Sequence, residues 1–188
     1  MNCIKEAQDL LRKHATDSRS YRAVLAHSKA VRDIAVKDAR SIPGADVQLV
    51  GMGAMLHDIG RFRYPPGKGS IRHGLAGGRI LRAEGLYKIA RIAERHVGAG
   101  LTLSDIKEQG LDLPIGRYVP RTIEEKVVCN ADNLVSGDRR VSVETAVGRY
   151  RDELGEKYAE RVSRLYSEVQ LHKVFKGKRH PGKHVQCR

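Results

Sequence analysis

Apolar residues in this chain recur at intervals of three and four, and nowhere do they alternate with polar residues over the length of a strand. That periodicity restricts the fold to packed helices, because side chains three and four apart share one face of an α-helix. Val24, His27, Val31 and Ile34 share one such face, as do Val47, Val50, Ala54 and His57, and Ile89, Ile92 and His96. Aromatic residues make up only 5% of the chain, which further disfavours strands. The expected fold class is all-α.

Punctuation divides the chain into helices. The first is predicted over about 4–14. A second starts at Ser18–Arg19–Ser20 as its cap and is broken by Pro43–Gly44. A third spans about 45–58, with Gly51 and Gly53 allowing close packing and Gly60 as its C-cap. Residues 61–70 form a loop rich in Pro, Gly and basic residues. Further helices run from His73 to Gly85, from Leu86 to about Val97, and briefly around Leu103–Gln109. Thr122–Glu125 reads as a capping box opening a helix that carries Val128, Asp132 and Val135 on one side. The last long helix covers about Ser142–Lys173, loosened at Gly148 and Gly155. The organisation expected is a core over 1–140, a helical extension over 141–173 packing on it, and a basic tail over 174–188.

Polar residues fall where this pattern calls for apolar ones. His57–Asp58 closes the apolar run from Val47 to Leu56, and His27, His96 and Asp132 lie on or beside the apolar faces of other helices. His73 opens a further one. Burying an imidazole and a carboxylate without partners costs several kcal/mol. A metal ion offsets that cost by taking both as ligands, and helical bundles build carboxylate–histidine centres in this way. Mixed nitrogen and oxygen donors suit Mn, Fe, Co, Ni or Zn better than calcium. No Ser–His–Asp or Cys–His arrangement competes, and there is no P-loop motif.

The chain has 188 residues and a formal net charge of +13, with 40% hydrophobic and 30% charged residues. From Leu171 onward there are six Lys or Arg and no acid, so the excess is concentrated at the end. That tail, with His180 and His184 flanking Pro–Gly, reads as a solvated terminus or as a weak contact for nucleic acid. No apolar run is long enough to span a bilayer, and the start carries no secretory pattern, so no membrane contact is expected. Cys3, Cys129 and Cys187 form no CxxC pair, which favours a reducing, cytoplasmic location, and Cys129 reads as a small core residue.

The ordered set His27, His57–Asp58, Asp132 resembles the H…HD…D signature of the HD-domain phosphohydrolase superfamily. His57–Asp–Ile–Gly60 is similar to its HDIG branch, and His73–Gly74 and His96 strengthen the match. Small stand-alone prokaryotic HDIG proteins share this look. The resemblance implies an HD-domain helical bundle with an additional C-terminal helix and the basic tail. It further implies that His27, His57, Asp58 and Asp132 bind one metal, and that Asp58, His73 and His96 bind a second, with Asp58 bridging. No Gly–Tyr–Pro element follows the doublet, so the marker of the cyclic-di-GMP-specific branch is absent.

The activity implied is hydrolysis of a phosphate monoester or diester of a nucleotide-like molecule, with one or two divalent ions and His57, Asp58 and Arg61 at the reaction centre. Arg61 stands where related HDIG enzymes often carry Lys; it can grip phosphate but cannot give up a proton. Arg63, Lys68 and Arg72 share its loop and are further candidates for substrate binding. Arg95 points either away from the site or toward a phosphate, and Asn130 and Asn133 flank Asp132 as candidate supporting donors. Two other readings stay open: a metallated protein that binds nucleotide or RNA without turnover, and a di-iron oxygenase. The sequence leaves the oligomeric state open, a homodimer included.

Overall fold

The helical periodicity is realised in nine helices among the described residues, which in this computed structural model are 3–67 and 69–174. They are α1 (Cys3–His14), α2 (Ser18–Ala39), α3 (Val47–Leu56), α4 (His73–Ala83), α5 (Tyr87–Arg95), α6 (Leu103–Glu108), α7 (Ile123–Asn133), α8 (Val143–Leu154) and α9 (Glu156–Val174). Single 3-10 turns occupy Ile59–Phe62 and Ser70–Arg72. The expectations for Lys68, and for the tail beyond Val174 with His180 and His184, fall outside the described residues. No helix among the described residues is long and apolar enough to cross a membrane.

Several boundaries differ from the sequence reading, each for a local reason. Asp17, not Ser18, caps α2, its carboxylate accepting from the backbone N–H of Arg19 and Ser20 at 2.8 Å each. Thr122 caps α7, but Glu125 does not complete the box; its side chain accepts from Arg121 N–H at 2.7 Å and from Arg95. The reciprocal box occurs instead at Thr102 and Asp105, opening α6. Val135 does not continue α7. Gly137, at φ +63°, turns the chain into a hairpin, β1 (Val135–Ser136) against β2 (Arg139–Arg140), with Val135 opposite Arg140. Gly155, at φ +96°, divides the last predicted helix into α8 and α9, while Gly148 stays inside α8 without breaking it.

Two apolar clusters hold the helices. In one, Val31, Ile34 and Ala35 of α2 meet Val50 and Ala54 of α3, Val127, Val128 and Ala131 of α7, and Val162, Leu165 and Val169 of α9. In the other, Leu11 of α1 and Val24 of α2 meet Met55, Leu56, Ile59 and Phe62, with Leu81 of α4 and Ile89 of α5. Gly53 admits Ile92 where a Cβ would lie 2.4 Å from its Cδ1, whereas Gly51 has only ordinary contacts. α3 therefore runs through the middle of the molecule, and its C-terminal end points the doublet His57–Asp58 into the gap between the two clusters.

Asp105 ties α6 to α9. Its carboxylate, fully buried, accepts from both terminal nitrogens of Arg161, from Tyr158 Oη at 3.1 Å and from Thr102 N–H at 2.8 Å. Burial alone would raise this carboxyl, but Arg161 and Thr102 hold it well below the ordinary range. A depressed carboxylate stabilises the fold above its unfolded pKa of about 4, and that contribution fades as pH falls. Urea unfolding at pH 7 is expected to show Asp105→Asn losing about 2–4 kcal/mol. The gap from wild type should narrow as the pH drops below about 4; a constant gap would contradict this account.

Candidate metal centre

A histidine placed just after a helical turn meets backbone carbonyls that have no partner within the helix. Two of the candidate histidines, His57 and His96, use that position. His57 follows the last residue of α3, and its Nδ1 donates to Ala54 O at 2.8 Å. His96 follows α5 and donates to Ala93 O at 2.7 Å. His73 follows the 3-10 turn Ser70–Arg72 and donates to Ser70 O at 2.6 Å. His27, in the body of α2, donates instead to Gly137 O of the hairpin turn at 2.6 Å. A carbonyl oxygen can only accept, so Nδ1 carries the hydrogen in all four rings, and Nε2 is the atom turned inward.

The inward atoms form one cluster around Asp58. Its two oxygens face different partners: Oδ1 lies 3.2 Å from His73 Nε2 and 3.4 Å from His96 Nε2, while Oδ2 lies 3.8 Å from His27 Nε2 and 4.0 Å from His57 Nε2. Asp132 Oδ1 completes the second group, at 2.9 Å from His27 Nε2 and 3.4 Å from His57 Nε2. Two donors about 2.1 Å from one ion stand roughly 3.0–3.4 Å apart at octahedral or tetrahedral angles. Most of these separations fall near that range. His27, His57 and Asp132 form one grouping able to hold a metal ion, and His57, Asp58 and His96 another.

The donor set also asks for a cation on chemical grounds. His57 Nε2 is fully buried without a hydrogen-bond partner. His73 Nε2 and His96 Nε2 stand 2.9 Å apart, a distance at which two lone pairs repel unless a proton or a metal lies between them. Burial would raise both carboxyls, yet the imidazoles around them hold Asp58 and Asp132 well below the ordinary range. Burial opposes charge on His27, but its hydrogen bond to Asp132 and the charges of Asp132 and Asp58 outweigh it, raising His27 to about 9. The opposite holds for His96, which burial lowers to about 4.

Gly60 brings the doublet to its partners. It does not cap α3 as the sequence suggested; it lies in the 3-10 turn beneath the start of α4. A Cβ there would sit 1.9 Å from His73 O and 2.6 Å from Gly77 N, so any side chain would push His73 away from Asp58. On the other flank, Tyr150 Oη donates to Asn133 Oδ1 at 2.8 Å, and Asn133 Nδ2 donates to Gly98 O at 2.9 Å. The buried Cys129 thiol reaches His96 O at 3.2 Å and Gly98 O at 3.1 Å. These bonds tie the end of α7, which carries Asp132, to the turn after His96.

A cleft of about 600 Å³ opens onto the cluster, lined by His27, Asp58, Asp132, Arg61, Arg149 and Tyr150 and by apolar groups of Val24, Pro65, Pro66 and Val135. Arg61 Nε donates to Asp58 at 3.2 and 3.4 Å. The other basic candidates are not brought there. Arg63 is exposed and does not line the cleft. The Arg72 guanidinium is bound by the Asp112 carboxylate and carbonyl, and Arg95 by both oxygens of buried Glu125 at 2.8 Å. Sequence reasoning missed Arg149 and Tyr150. They lie three and four residues after Ala146, the buried residue of α8, and so on its inward face, but neither is a metal-ligand type.

Comparison with known proteins bears on this geometry. A family model described as HD domain matches residues 24–137. A tRNA (cytidine(56)-2′-O)-methyltransferase of Thermoplasma volcanium is 39% identical over 159 residues, covering 84% of this chain and 44% of that protein. A protein of the same name from Picrophilus torridus is 40% identical over 147 residues, covering 78% and 41%. The chain thus spans less than half the length of these two relatives. An uncharacterized protein of Methanocaldococcus jannaschii is 41% identical over 140 residues, covering 72% of this chain and 79% of that one. Among solved structures, the HD domain of the L. monocytogenes phosphodiesterase PgpH aligns with a TM-score of 0.52 at 17% identity, covering 90% of this chain and 98% of that one. Its complex with cyclic-di-AMP gives 0.52 at 18%, covering 94% and 100%. At that identity the likeness is one of fold.

The raised His27 makes a measurable demand on metal binding. A metal must displace its proton at any pH below about 9, so apparent affinity should rise with pH up to that value. Calorimetric titration with Mn²⁺ at pH 7.5, in buffers of different ionisation enthalpy, is expected to show close to one proton released, about 1. Binding without proton release would contradict the assignment.

Proposed function

The chain belongs to the HD-domain family, and from that premise we propose that it is a metal-dependent phosphohydrolase acting on a nucleotide-class phosphate ester. The observation that carries the reading is the division of Asp58: one oxygen faces His73 and His96, the other faces His27 and His57. In this reading Asp132, His27, His57 and Asp58 would hold one divalent ion, and Asp58, His73 and His96 would hold a second. Divalent ions bound there would supply Lewis acidity toward phosphoryl oxygens and lower the pKa of a bound water.

The chain's own groups do the rest. The four Nδ1–carbonyl bonds fix the imidazoles, so the donor atoms need no reorganisation when substrate arrives. Arg61, anchored on Asp58 through Nε, keeps its terminal nitrogens for a phosphoryl oxygen pair. A guanidinium suits charge and orientation rather than proton transfer, and that is the part of Arg61. Val24, Pro65, Pro66 and Val135 give the organic part of the ester an apolar wall.

A nucleotide substrate is supported by the similarly folded PgpH domain, whose complex contains cyclic-di-AMP. The names of the two longer relatives favour a tRNA setting. We assign their methyl transfer to the length this chain does not span, since its buried cluster is a set of metal donors. Their names also favour the second reading, a metallated RNA-binding unit without turnover, in which the net charge of +13 provides the attraction.

Turnover of bis(p-nitrophenyl) phosphate and p-nitrophenyl phosphate with Mn²⁺, Fe²⁺, Co²⁺, Ni²⁺ or Zn²⁺ separates the two. Wild-type protein is expected to hydrolyse at least one, and Asp58→Asn to lower the rate on the order of a thousandfold. No turnover with any metal, together with salt-steep tRNA binding, would overturn the hydrolase reading in favour of the second.

A further inference from the structure

Arg149 differs from every other half-buried arginine among the described residues. Arg32, Arg61, Arg72, Arg95 and Arg161 each have a carboxylate within 4 Å: Asp33, Asp58, Asp112, Glu125 and Asp105 in turn. Arg149 has none, yet it too is half-buried and lines the cleft over the cluster. One of its nitrogens donates to Asn133 O at 3.2 Å, and its guanidinium carbon lies 5.4 Å from the centre of the Tyr150 ring. A guanidinium carries five N–H groups, so this leaves most of its donors and all of its charge without an anionic partner. A cation drawn partly out of water without a counter-charge is costly unless an anion comes to it.

Its position says which anion. Arg61 is anchored on Asp58, the carboxylate shared between the two donor groups. Arg149 is anchored on the carbonyl next to Asp132, on the side of His27 and His57. The two guanidinium groups therefore enter one cleft from separate anchors, and a single phosphoryl group bound at the cluster needs only the first. α8 also lies outside residues 24–137, so this arm is not part of the matched HD domain.

We propose that Arg149 is a second phosphate-binding arm, and that the substrate is a nucleotide bearing a second phosphate group apart from the one that is hydrolysed. This rests on the phosphohydrolase reading and narrows it. Tyr150, held by Asn133, is the platform that keeps the Arg149 guanidinium over the cleft.

The probes are adenosine 3′,5′-bisphosphate and adenosine 5′-monophosphate, titrated calorimetrically into the full chain with and without Mn²⁺. Wild-type protein is expected to bind the bisphosphate about tenfold more tightly than the monophosphate. Arg149→Met should bring that ratio close to one, and Arg149→Lys should restore part of it. Absence of a preference in the wild type would overturn the proposal without recourse to any variant. So would a Met variant that weakens both ligands by the same factor, the mark of Arg149 merely capping the end of α7. A preserved bisphosphate preference in a protein that turns over no phosphate ester would support the second arm and overturn only the hydrolase reading.

Discussion

Four hydrogen bonds from imidazole Nδ1 to backbone carbonyls govern this molecule's chemistry. Each fixes a ring's orientation and turns one Nε2 toward a shared centre. Three of the four reach carbonyls at the ends of helical turns, three residues before the histidine. The ends of α3 and α5 thus serve two purposes: a carbonyl of the last turn gains a donor, and the donor's ring is oriented toward the cluster. The fourth bond requires the hairpin at Gly137, so the small sheet is part of the site's construction. Remove any one bond and a ring is free to rotate its lone pair away from Asp58.

The fold follows from the need to bring those helix ends together. α3 delivers the doublet, α2 and α7 supply His27 and Asp132, and α4 and α5 bring His73 and His96. Gly60 is what allows α4 to approach so closely, because its backbone packs directly on that of His73 and Gly77. The last two helices share the core, and α8 reaches the cleft. Through Arg149 and Tyr150 it adds groups that lie outside the matched HD domain.

The helical class and the identity of the clustered residues were legible in the sequence because both are written as periodicity. His27, His57, His96 and Asp132 interrupt apolar faces, and a polar interruption of a core face is visible without coordinates. What stayed hidden depended on the partner of a side chain. Arg72 and Arg95 look alike in sequence to Arg61, and only the fold places Asp112 beside one and Glu125 beside the other. Asp17 outcompeted Ser18 as a cap because a carboxylate is the stronger acceptor for two N–H groups. Val135 fitted a helical face, but the Gly137–Asp138 turn two residues later fixed a hairpin. Asn133 sat beside Asp132 and gave no sign that it bridges Tyr150 to Gly98. Arg149 was hidden because a lone arginine on a half-exposed helix gives no pattern at all.

The proposed binuclear centre requires Asp58 to be shared between two ions. Anomalous scattering from crystals of the manganese-loaded protein, collected at the manganese edge, tests it most directly. Two peaks about 3.5–4 Å apart are expected, one beside His27, His57 and Asp132, the other beside His73 and His96, with Asp58 between them. A single peak, or two that share no ligand at Asp58, would contradict it.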